Sequence, residues 1–289
     1  MSFLIDRSTR VVVQGITGQL GRVTVRLMSS GNLNPVAGVT PGRGGETVKG
    51  IPVYDTVAEA RIEAGATASL ILVPSGGLRD AALEAIDEGM NPIVLMVDGV
   101  PLNLSLELVT AARDAGVTLI GPNSPGLISP GECLLGALDP RRFVRGDIAV
   151  ISRSGGMMST IAHTLSASGY GASTCVGIGG DSVIGLDMVS ALRFADEDPD
   201  TLAVVLYGEI GTLQEERVAA GMATRASTKP VVAYIAGVSA PVGIRYSHAG
   251  AQTDGIFGSA TGKSATLRSA GVTVVDRYVD LADALATLL

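Results

Sequence analysis

One run near the start of the chain sets the topology of the fold: Val11-Val12-Val13-Gln14-Gly15-Ile16-Thr17-Gly18-Gln19-Leu20-Gly21. Its apolar beginning is typical of a buried β-strand, and the amphipathic pattern that follows Gly21 predicts a helix through Met28. The glycines therefore lie between a strand and a helix. Such a turn favours phosphate binding, because glycine lets the backbone approach a ligand and the helix offers free N–H groups. Since the spacing differs from the G-x-G-x-x-G fingerprint, a tight turn without a ligand stays open.

Short apolar segments and helix-length amphipathic segments alternate along the rest of the chain. Further strands are predicted at residues 36–39, 69–73, 92–96, 118–120, 148–151, 172–176, 202–207, 231–235 and 272–275. Further helices are predicted at residues 78–88, 105–115, 156–168, 186–194, 213–224, 262–270 and 281–288. This alternation predicts an α/β protein with doubly wound parallel sheets. Glycine and proline are dense at residues 121–131, so we place a domain boundary there, with domains at 1–125 and 126–289.

Composition excludes several classes of function. The formal net charge is −7, tryptophan is absent and aromatic residues make up 3% of the chain, which argues against a nucleic-acid partner. No apolar run approaches the roughly 18 residues that span a bilayer, so no membrane partner is expected. The N-terminus lacks the features of a signal peptide, and the two cysteines lack metal-ligand spacing. We therefore expect a cytoplasmic enzyme that holds no metal of its own.

The end of the second strand carries information about the ligand. NAD-binding units place an acidic residue there to bind the ribose diol. The segment 37–45 contains no acid, and Arg43 lies on its glycine-rich part instead. An arginine at this position suits an additional phosphate, either that of NADP or that on the ribose of CoA. An ordinary solvated loop charge is the alternative.

One of the two histidines lies in a setting that favours catalysis. His163 lies within a predicted helix, where a packed or surface role is expected. His248 lies in a loop of small residues that leaves its imidazole accessible to a large ligand. Glu209 follows a buried strand, and a carboxylate that accepts the Nδ1 proton would leave Nε2 as a nucleophile. A structural histidine is the alternative reading of His248 alone.

Two further glycine-containing segments resemble phosphate sites. Ser154-Gly155-Gly156 joins a predicted strand to a helix and predicts a second anion site built from N–H groups. With His248 and Glu209 at the same edge of the sheet, this turn points to phosphoryl transfer to histidine. The segment 258–264 is one residue short of a P-loop, and we interpret it as a glycine turn before a late helix.

Taken together, these motifs resemble the α subunit of succinyl-CoA synthetase and related acid–CoA ligases, and the resemblance extends over nearly the whole chain. The motifs that carry it are residues 14–18, 38–45, 121–123, 152–155, 175–181, 208–211, 234–237 and 248–251. The resemblance implies a Rossmann-like CoA-binding domain followed by a flavodoxin-like ligase domain that carries the phosphohistidine. It also implies a CoA site formed by Thr17, Gly18, Gln19, Leu20, Pro41, Arg43, Val73, Pro74, Met96, Val97 and Asp98.

The same resemblance implies the reaction. His248 would be phosphorylated with Glu209 as its partner, and Ser154, Gly155 and Gly156 would hold the phosphate. The phosphoryl group would pass to a small carboxylic acid, and the CoA thiol would attack the resulting acyl phosphate. ATP or GTP with Mg²⁺ would bind a β subunit with an ATP-grasp domain, in a heterodimer or heterotetramer that is required for activity.

The sequence departs from the family at several positions. Arg43 lies where lysine is usual, and Ser124 lies where cysteine is common. Near the carboxylate pocket, Gly156 and Ser159 replace a threonine and a substrate tyrosine, and residues 181–185 also differ. The acid is therefore open between succinate and another carboxylate such as malate, with Ser159 as a candidate substrate residue. A non-catalytic CoA-binding regulator and an NADP-dependent oxidoreductase are the alternative functions.

Overall fold

The computed structural model describes residues 4–224, 227–240, 248, 250–252 and 258–289. Its described residues form two compact units. The first unit extends to Arg141 and also includes Val183–Gly185, and the second unit begins at Arg142. Residues 126–141 thus group with the first unit, and the domain boundary after residue 125 stays a prediction. In the part of the chain described, no helix is long and apolar enough to cross a bilayer.

The first unit contains a parallel sheet with one antiparallel edge strand. Its strands are β1 (Val11–Gln14), β2 (Ala37–Val39), β3 (Thr47–Val48), β4 (Ile51–Tyr54), β5 (Ala68–Ile71), β6 (Ile93–Leu95) and β7 (Leu119–Ile120), with a hairpin of β8 (Gly126–Ser129) and β9 (Cys133–Gly136). Its helices are α1 (Gln19–Ser30), α2 (Val57–Ala64), α3 (Leu78–Asp87) and α4 (Leu102–Asp114). The sheet order is β3-β4-β2-β1-β5-β6-β7, in which β3 runs antiparallel to β4.

This order is that of a Rossmann sheet, because the chain leaves β1 on one side for β2 and β4 and returns on the other side with β5. All four residues of β1 are buried, which accounts for its continuous apolar run. The carboxyl ends of β1 and β5 border the crevice where the strand order reverses. Ligands bind at this position in open α/β sheets.

The second unit contains an all-parallel set of five strands. These are β10 (Arg145–Ser152), β11 (Ala172–Gly177), β12 (Ala203–Glu209), β13 (Val231–Ala236) and β14 (Thr273–Val275). Its helices are α5 (Gly155–Ala167), α6 (Met188–Glu197), α7 (Gln214–Ala223), α8 (Ala260–Ser269) and α9 (Leu281–Ala286). The strand order is β14-β13-β12-β10-β11, which is the flavodoxin order with its crevice between β10 and β12. The predicted α/β fold class is therefore confirmed.

The pattern of the sequence predicts no element between residues 40 and 68, where the structure contains β3, β4 and α2. The two strands are short and only partly buried, so they carry no continuous apolar run. Helix α2 does have a local signal: Thr56 accepts from the Glu59 N–H and the Glu59 side chain bonds back to the cap. Strand β8 lies within the segment interpreted as a breaker-rich boundary, and β9 follows that segment.

Gly21 allows α1 to pack directly against the turn that precedes it. A Cβ at this position would lie 2.5 Å from the Gly15 carbonyl oxygen and 2.6 Å from the Ile16 Cα. Both contacts are with backbone atoms, which cannot rotate away.

We therefore expect Gly21→Ala to lower the free energy of unfolding by about 1–3 kcal/mol, the usual cost of overpacking. Urea unfolding followed by circular dichroism measures this change. Gly76→Ala is the matched control, because a Cβ there meets nothing within 4 Å and its φ is not left-handed. Equal stability of the two variants would contradict the packing argument.

Candidate functional site

A cleft of about 680 Å³ opens at the carboxyl ends of β1, β2, β5 and β6 in the first unit. Helix α1 begins in the wall of this cleft, directly after the cap residue Gly18. Glycine has no side chain with which to cap the helix. The first N–H groups of α1 are thus available where the cleft begins, together with the positive end of the helix dipole. This arrangement suits a phosphate or pyrophosphate group.

Gly15 shapes the turn between β1 and α1. Its φ of +81° lies in the left-handed region, and its N–H donates to the Val39 carbonyl over 2.8 Å. A Cβ on Gly15 would lie 3.2 Å from backbone atoms of Leu72. The Thr17 hydroxyl lies 3.2 Å from that of Thr40, which links the turn to the end of β2. Glycine at position 15 therefore permits both the turn and the close approach of β5.

Ten of the eleven residues predicted to bind CoA line this cleft. They are Thr17, Gly18, Gln19, Leu20, Pro41, Val73, Pro74, Met96, Val97 and Asp98. The remaining lining residues, which were not among the predicted CoA-binding residues, are Gly15, Gly21, Thr40, Leu72 and Ser75. Gly15 and Gly21 belong to the glycine turn that the sequence pattern already indicated, and Thr40, Leu72 and Ser75 each adjoin a predicted residue in the chain.

Arg43 lies in the turn after β2 but is not among the lining residues of the cleft. Its side chain is about half exposed, and its guanidinium donates to Glu46 over 2.8 Å and 3.1 Å. This ion pair is exposed to solvent and therefore weak, so a ligand phosphate can compete for the arginine.

The second unit brings His248 and Glu209 into contact. Glu209 is the last residue of β12 and is buried, and its Oε1 lies 2.6 Å from Nδ1 of His248. The His248 side chain is 22% exposed, so one side of the ring remains accessible. With Nδ1–H donating to Glu209, the neutral imidazole carries its lone pair on Nε2, which is then the nucleophilic atom.

Gly180, in the loop after β11, packs against the histidine ring. A Cβ on Gly180 would lie 2.5 Å from Cγ of His248. The Gly180 carbonyl also accepts from the Gly250 N–H over 3.1 Å. The loop after β11 thus fixes the ring from a direction different from that of Glu209.

The glycine turn after β10 begins helix α5. Ser154 caps this helix by accepting from the Met157 N–H over 3.4 Å. A Cβ on Gly156 would meet only the Ser154 Oγ, at 4.0 Å, so the first turn of α5 is open. The Ser159 hydroxyl donates to the Gly155 carbonyl over 3.2 Å within the helix. His163, further along α5, is exposed.

A buried ionic cluster, not anticipated from the sequence, lies behind Glu209. It consists of Arg153, Glu215 and Lys263, whose side chains are all at most 1% exposed. Arg153 Nη2 lies 3.4 Å from Glu209 Oε1, and Glu215 accepts from the Glu209 N–H over 3.0 Å. Lys263 contacts Glu215 directly and Glu216 over 2.7 Å.

The P-loop-like segment is thereby explained as the start of α8, capped by Ser259. Its lysine, Lys263, is fully buried and ion-paired within the protein. The interpretation of this segment as a glycine turn before a late helix agrees with the structure. In the described residues, no group of three or more His, Cys, Asp or Glu side chains could hold a metal ion.

The electrostatic environment raises the pKa of His248 above its ordinary value. The hydrogen bond to Glu209 is the largest cause, and the nearby carboxylate of Asp181 acts in the same direction. Partial burial and the positive charge of Arg153 oppose the increase. The balance of these effects decides how much of the imidazole is free to react near neutral pH.

Models of two protein families match the chain, one in each compact unit. The CoA binding domain matches residues 6–99. The succinyl-CoA ligase like flavodoxin domain matches residues 145–288.

Several proteins of nearly the same length are similar to this chain, and each is named as an α subunit of an ADP-forming succinate–CoA ligase. The α subunit 2 of the ADP-forming succinate–CoA ligase of Archaeoglobus fulgidus is 45% identical over all 289 residues, which cover 100% of both chains. The corresponding α subunit of Methanothermobacter thermautotrophicus is 43% identical over 97% of this chain and 94% of its own. The α subunit of Aquifex aeolicus is 41% identical over 100% of this chain and 95% of its own.

Solved structures show the same fold at lower sequence identity. ATP citrate lyase of Methanosaeta concilii, solved in complex with (3S)-citryl-CoA, superposes with a TM-score of 0.87 at 22% identity. The match covers 99% of this chain and 50% of that one, so this chain corresponds to about half of the larger protein. The dinucleotide-forming acetyl-coenzyme A synthetase 1 of Ca. Korarchaeum cryptofilum gives a TM-score of 0.78 at 21% identity, covering 96% and 60% of the two chains.

The contact between His248 and Glu209 makes stability depend on pH. Because the folded-state pKa of His248 is raised, its stabilisation is fully present below the ordinary value of 6.5 and declines as pH rises through the folded value. We therefore expect the stability lost in Glu209→Gln to be larger at pH about 5.5 than at pH about 9. Urea unfolding of both proteins at each pH measures this difference. A loss that is the same at both pH values would contradict the argument.

Proposed function

Because this chain belongs to the family of succinate–CoA ligase α subunits, we propose that it is the α subunit of a nucleotide-dependent carboxylate–CoA ligase. Its first unit binds CoA, and His248 of its second unit carries the phosphoryl group between a nucleoside triphosphate and a carboxylic acid. The observation that carries this proposal is the 2.6 Å contact between His248 Nδ1 and Glu209 Oε1. In the neutral imidazole, an Nδ1 proton donated to Glu209 leaves Nε2 as the free nucleophile on a partly exposed ring.

The proposed reaction has three transfers. The Nε2 lone pair attacks the γ-phosphorus, and the bond to the bridging oxygen breaks so that the nucleoside diphosphate leaves with the electron pair. An oxygen of the acid's carboxylate then attacks phosphorus, and the P–N bond breaks with its electron pair returning to Nε2. Finally the CoA thiol loses its proton and attacks the acyl carbon, and inorganic phosphate leaves.

Two helix N-termini support the binding roles. In the first unit, the start of α1 beside Gly18 would receive the diphosphate of CoA, and Arg43 its ribose phosphate. In the second unit, the start of α5 at Ser154, Gly155 and Gly156 would receive the phosphoryl group. Both sites use N–H groups that have no partner within their own helix, together with the helix dipole.

The nucleotide and its metal ion would be supplied by a partner subunit. The matched relatives are named as α subunits of ADP-forming ligases, so we propose an ATP-grasp β subunit that supplies ATP or GTP with Mg²⁺. Both cysteines are buried free thiols, which suits a reducing cytoplasm. Succinate is the first acid to test, and the open first turn of α5 with Ser159 would adjoin its carboxylate.

Phosphorylation of His248 is the direct test of the proposed chemistry. We expect the α/β complex, incubated with ATP or GTP labelled at the γ position, to acquire a label on this chain that is stable to base and labile to acid. His248→Asn removes the nucleophile and should abolish the label, whereas Glu209→Gln should lower the labelling rate by about 10²–10⁴-fold.

The matched control is His163→Asn, because His163 is exposed on α5 and takes no part in the site. Label of equal intensity on wild type and His248→Asn would overturn the assignment. Binding of CoA without any label on wild type, in the presence of the partner and a panel of dicarboxylates, would indicate a CoA-binding regulator instead.

The role of Arg43 is tested by removing the phosphate that it would contact. Arg43→Gln should weaken CoA binding about tenfold, since a hydrogen bond to a charged group contributes about 1.5 kcal/mol or more. Its affinity for dephospho-CoA should equal that of wild type. Isothermal titration calorimetry measures both ligands, with Arg61→Gln as a control because Arg61 pairs with Glu88 and does not line the cleft. Equal weakening toward both ligands would contradict the assignment.

A further inference from the structure

Glu209 and the buried ionic cluster behind it carry equal numbers of opposite charges. Arg153 and Lys263 supply two positive charges, and Glu209 and Glu215 supply two negative charges, all on buried side chains. Glu216, whose side chain is 26% exposed, adds a negative charge beside Lys263. Burial of a carboxylate without a compensating cation is costly, and such a group takes up a proton or holds a protonated neighbour. With the cations in place, Glu209 can remain ionised beside a histidine that is neutral.

Among the described residues, Arg153 is the cation that contacts the pair of His248 and Glu209. Its Nη2 lies 3.4 Å from the same Glu209 oxygen that bonds to His248. The contact lacks hydrogen-bond geometry, and Nε and Nη2 of Arg153 have no hydrogen-bond partner in the structure described. Nη1 donates over 3.3–3.4 Å to the carbonyls of Glu209, Ile210 and Gly211. It also lies 3.9 Å from Glu215 Oε1. The guanidinium therefore acts through its charge more than through directed bonds.

We infer that Arg153 is a positioning residue that keeps His248 in its neutral, nucleophilic form by compensating the buried charge of Glu209. This inference rests on the proposed function, because it explains how the histidine remains able to attack phosphorus near neutral pH. Arginine suits the role since its guanidinium stays protonated at every physiological pH. When a phosphoryl dianion arrives on Nε2, the same charge offsets the added negative charge beside Glu209.

Without Arg153, the Glu209 carboxylate would be compensated best by a protonated imidazole. The proton would then occupy Nε2 and block attack on phosphorus. This direction agrees with the contribution of Arg153, whose charge lowers the pKa of His248, while the Glu209 hydrogen bond raises it. The titratable and charged groups on the elements around this pair are, in the described residues, Arg153, Asp181, Tyr207, Glu209, Glu215, Glu216 and Lys263.

The test measures the protonation of His248 directly. Only two histidines are present, so NMR of the imidazole resonances follows both, with exposed His163 as an internal reference. We expect Arg153→Met to raise the pKa of His248 by about one unit or more, while Arg153→Lys stays near wild type. In the α/β complex, Arg153→Met should slow histidine phosphorylation at pH 7, by up to about tenfold for a one-unit rise in this pKa, and recover as the pH rises to about 9.

Lys263 and Glu215 provide a charge-matched control that leaves Arg153 in place. Lys263→Met removes one buried positive charge and should raise the pKa of His248 by less than Arg153→Met does, because Lys263 pairs with Glu215 and Glu216, whereas Arg153 lies beside Glu209. Lys263→Met combined with Glu215→Gln removes one charge of each sign and retains an acceptor for the Glu209 N–H. The double variant should titrate like wild type. This pair also keeps the inference testable if Arg153→Met does not fold.

Two outcomes would overturn the inference. One is a pKa of His248 that stays at the wild-type value in both Arg153→Met and Lys263→Met. The other is a folded Arg153→Met variant whose loss of phosphorylation is the same at every pH, as expected for a purely structural role. The titration needs no phosphoryl donor, so failure of wild type to become phosphorylated would refute the proposed function while the charge measurement still decides the role of Arg153.

Discussion

The chemistry proposed for the second unit depends on one hydrogen bond, that between His248 Nδ1 and Glu209 Oε1, whose residues are 39 positions apart in the chain. Its directionality matters because a proton on Nδ1 leaves Nε2 free, whereas the opposite tautomer would not. Three surrounding contacts maintain it. Gly180 packs against the ring, Glu215 holds the backbone N–H of Glu209, and Arg153 provides a positive charge beside the carboxylate.

The two units use the same physical device in different surroundings. In each, a buried strand beside the reversal in strand order ends in a glycine turn that begins a helix: β1 with α1, and β10 with α5. In the first unit the helix start faces a cleft with few charged residues in its lining, which suits an extended ligand held by backbone groups. In the second unit the residue before the turn is Arg153, whose buried guanidinium lies 3.4 Å from Glu209 Oε1 and so places a positive charge beside the carboxylate that contacts His248. A transferable phosphoryl group gains from such a charge.

Much of the fold could be predicted because the central strands are continuous apolar runs and the long helices are amphipathic. The edge elements could not, since β3 and β4 are short and partly exposed, although the Thr56–Glu59 capping box was a readable signal for α2. The glycine turn after β1 and the carboxylate of Glu209 at the end of β12 were equally readable, whereas most of the cleft residues were named from the resemblance to the ligase family. Arg43 belongs to a motif of the sequence, but its side chain pairs with Glu46 at the surface. The motif therefore indicated the residue but not the direction of its side chain.

The burial of charged residues by their ion-pair partners could not be predicted from the sequence. Lys263 follows a glycine in a segment that looks like part of a phosphate loop, yet a nucleotide cannot reach a side chain that is fully buried. Its partner Glu215 lies 48 residues earlier, on α7, and only the folded sheet brings the two together. Neither residue tolerates burial alone, because an unpaired buried charge is strongly destabilising. The cluster is therefore a joint property of α7, α8 and the segment after β10, and its charges lie beside the carboxylate that contacts His248, a residue 15 positions before Lys263.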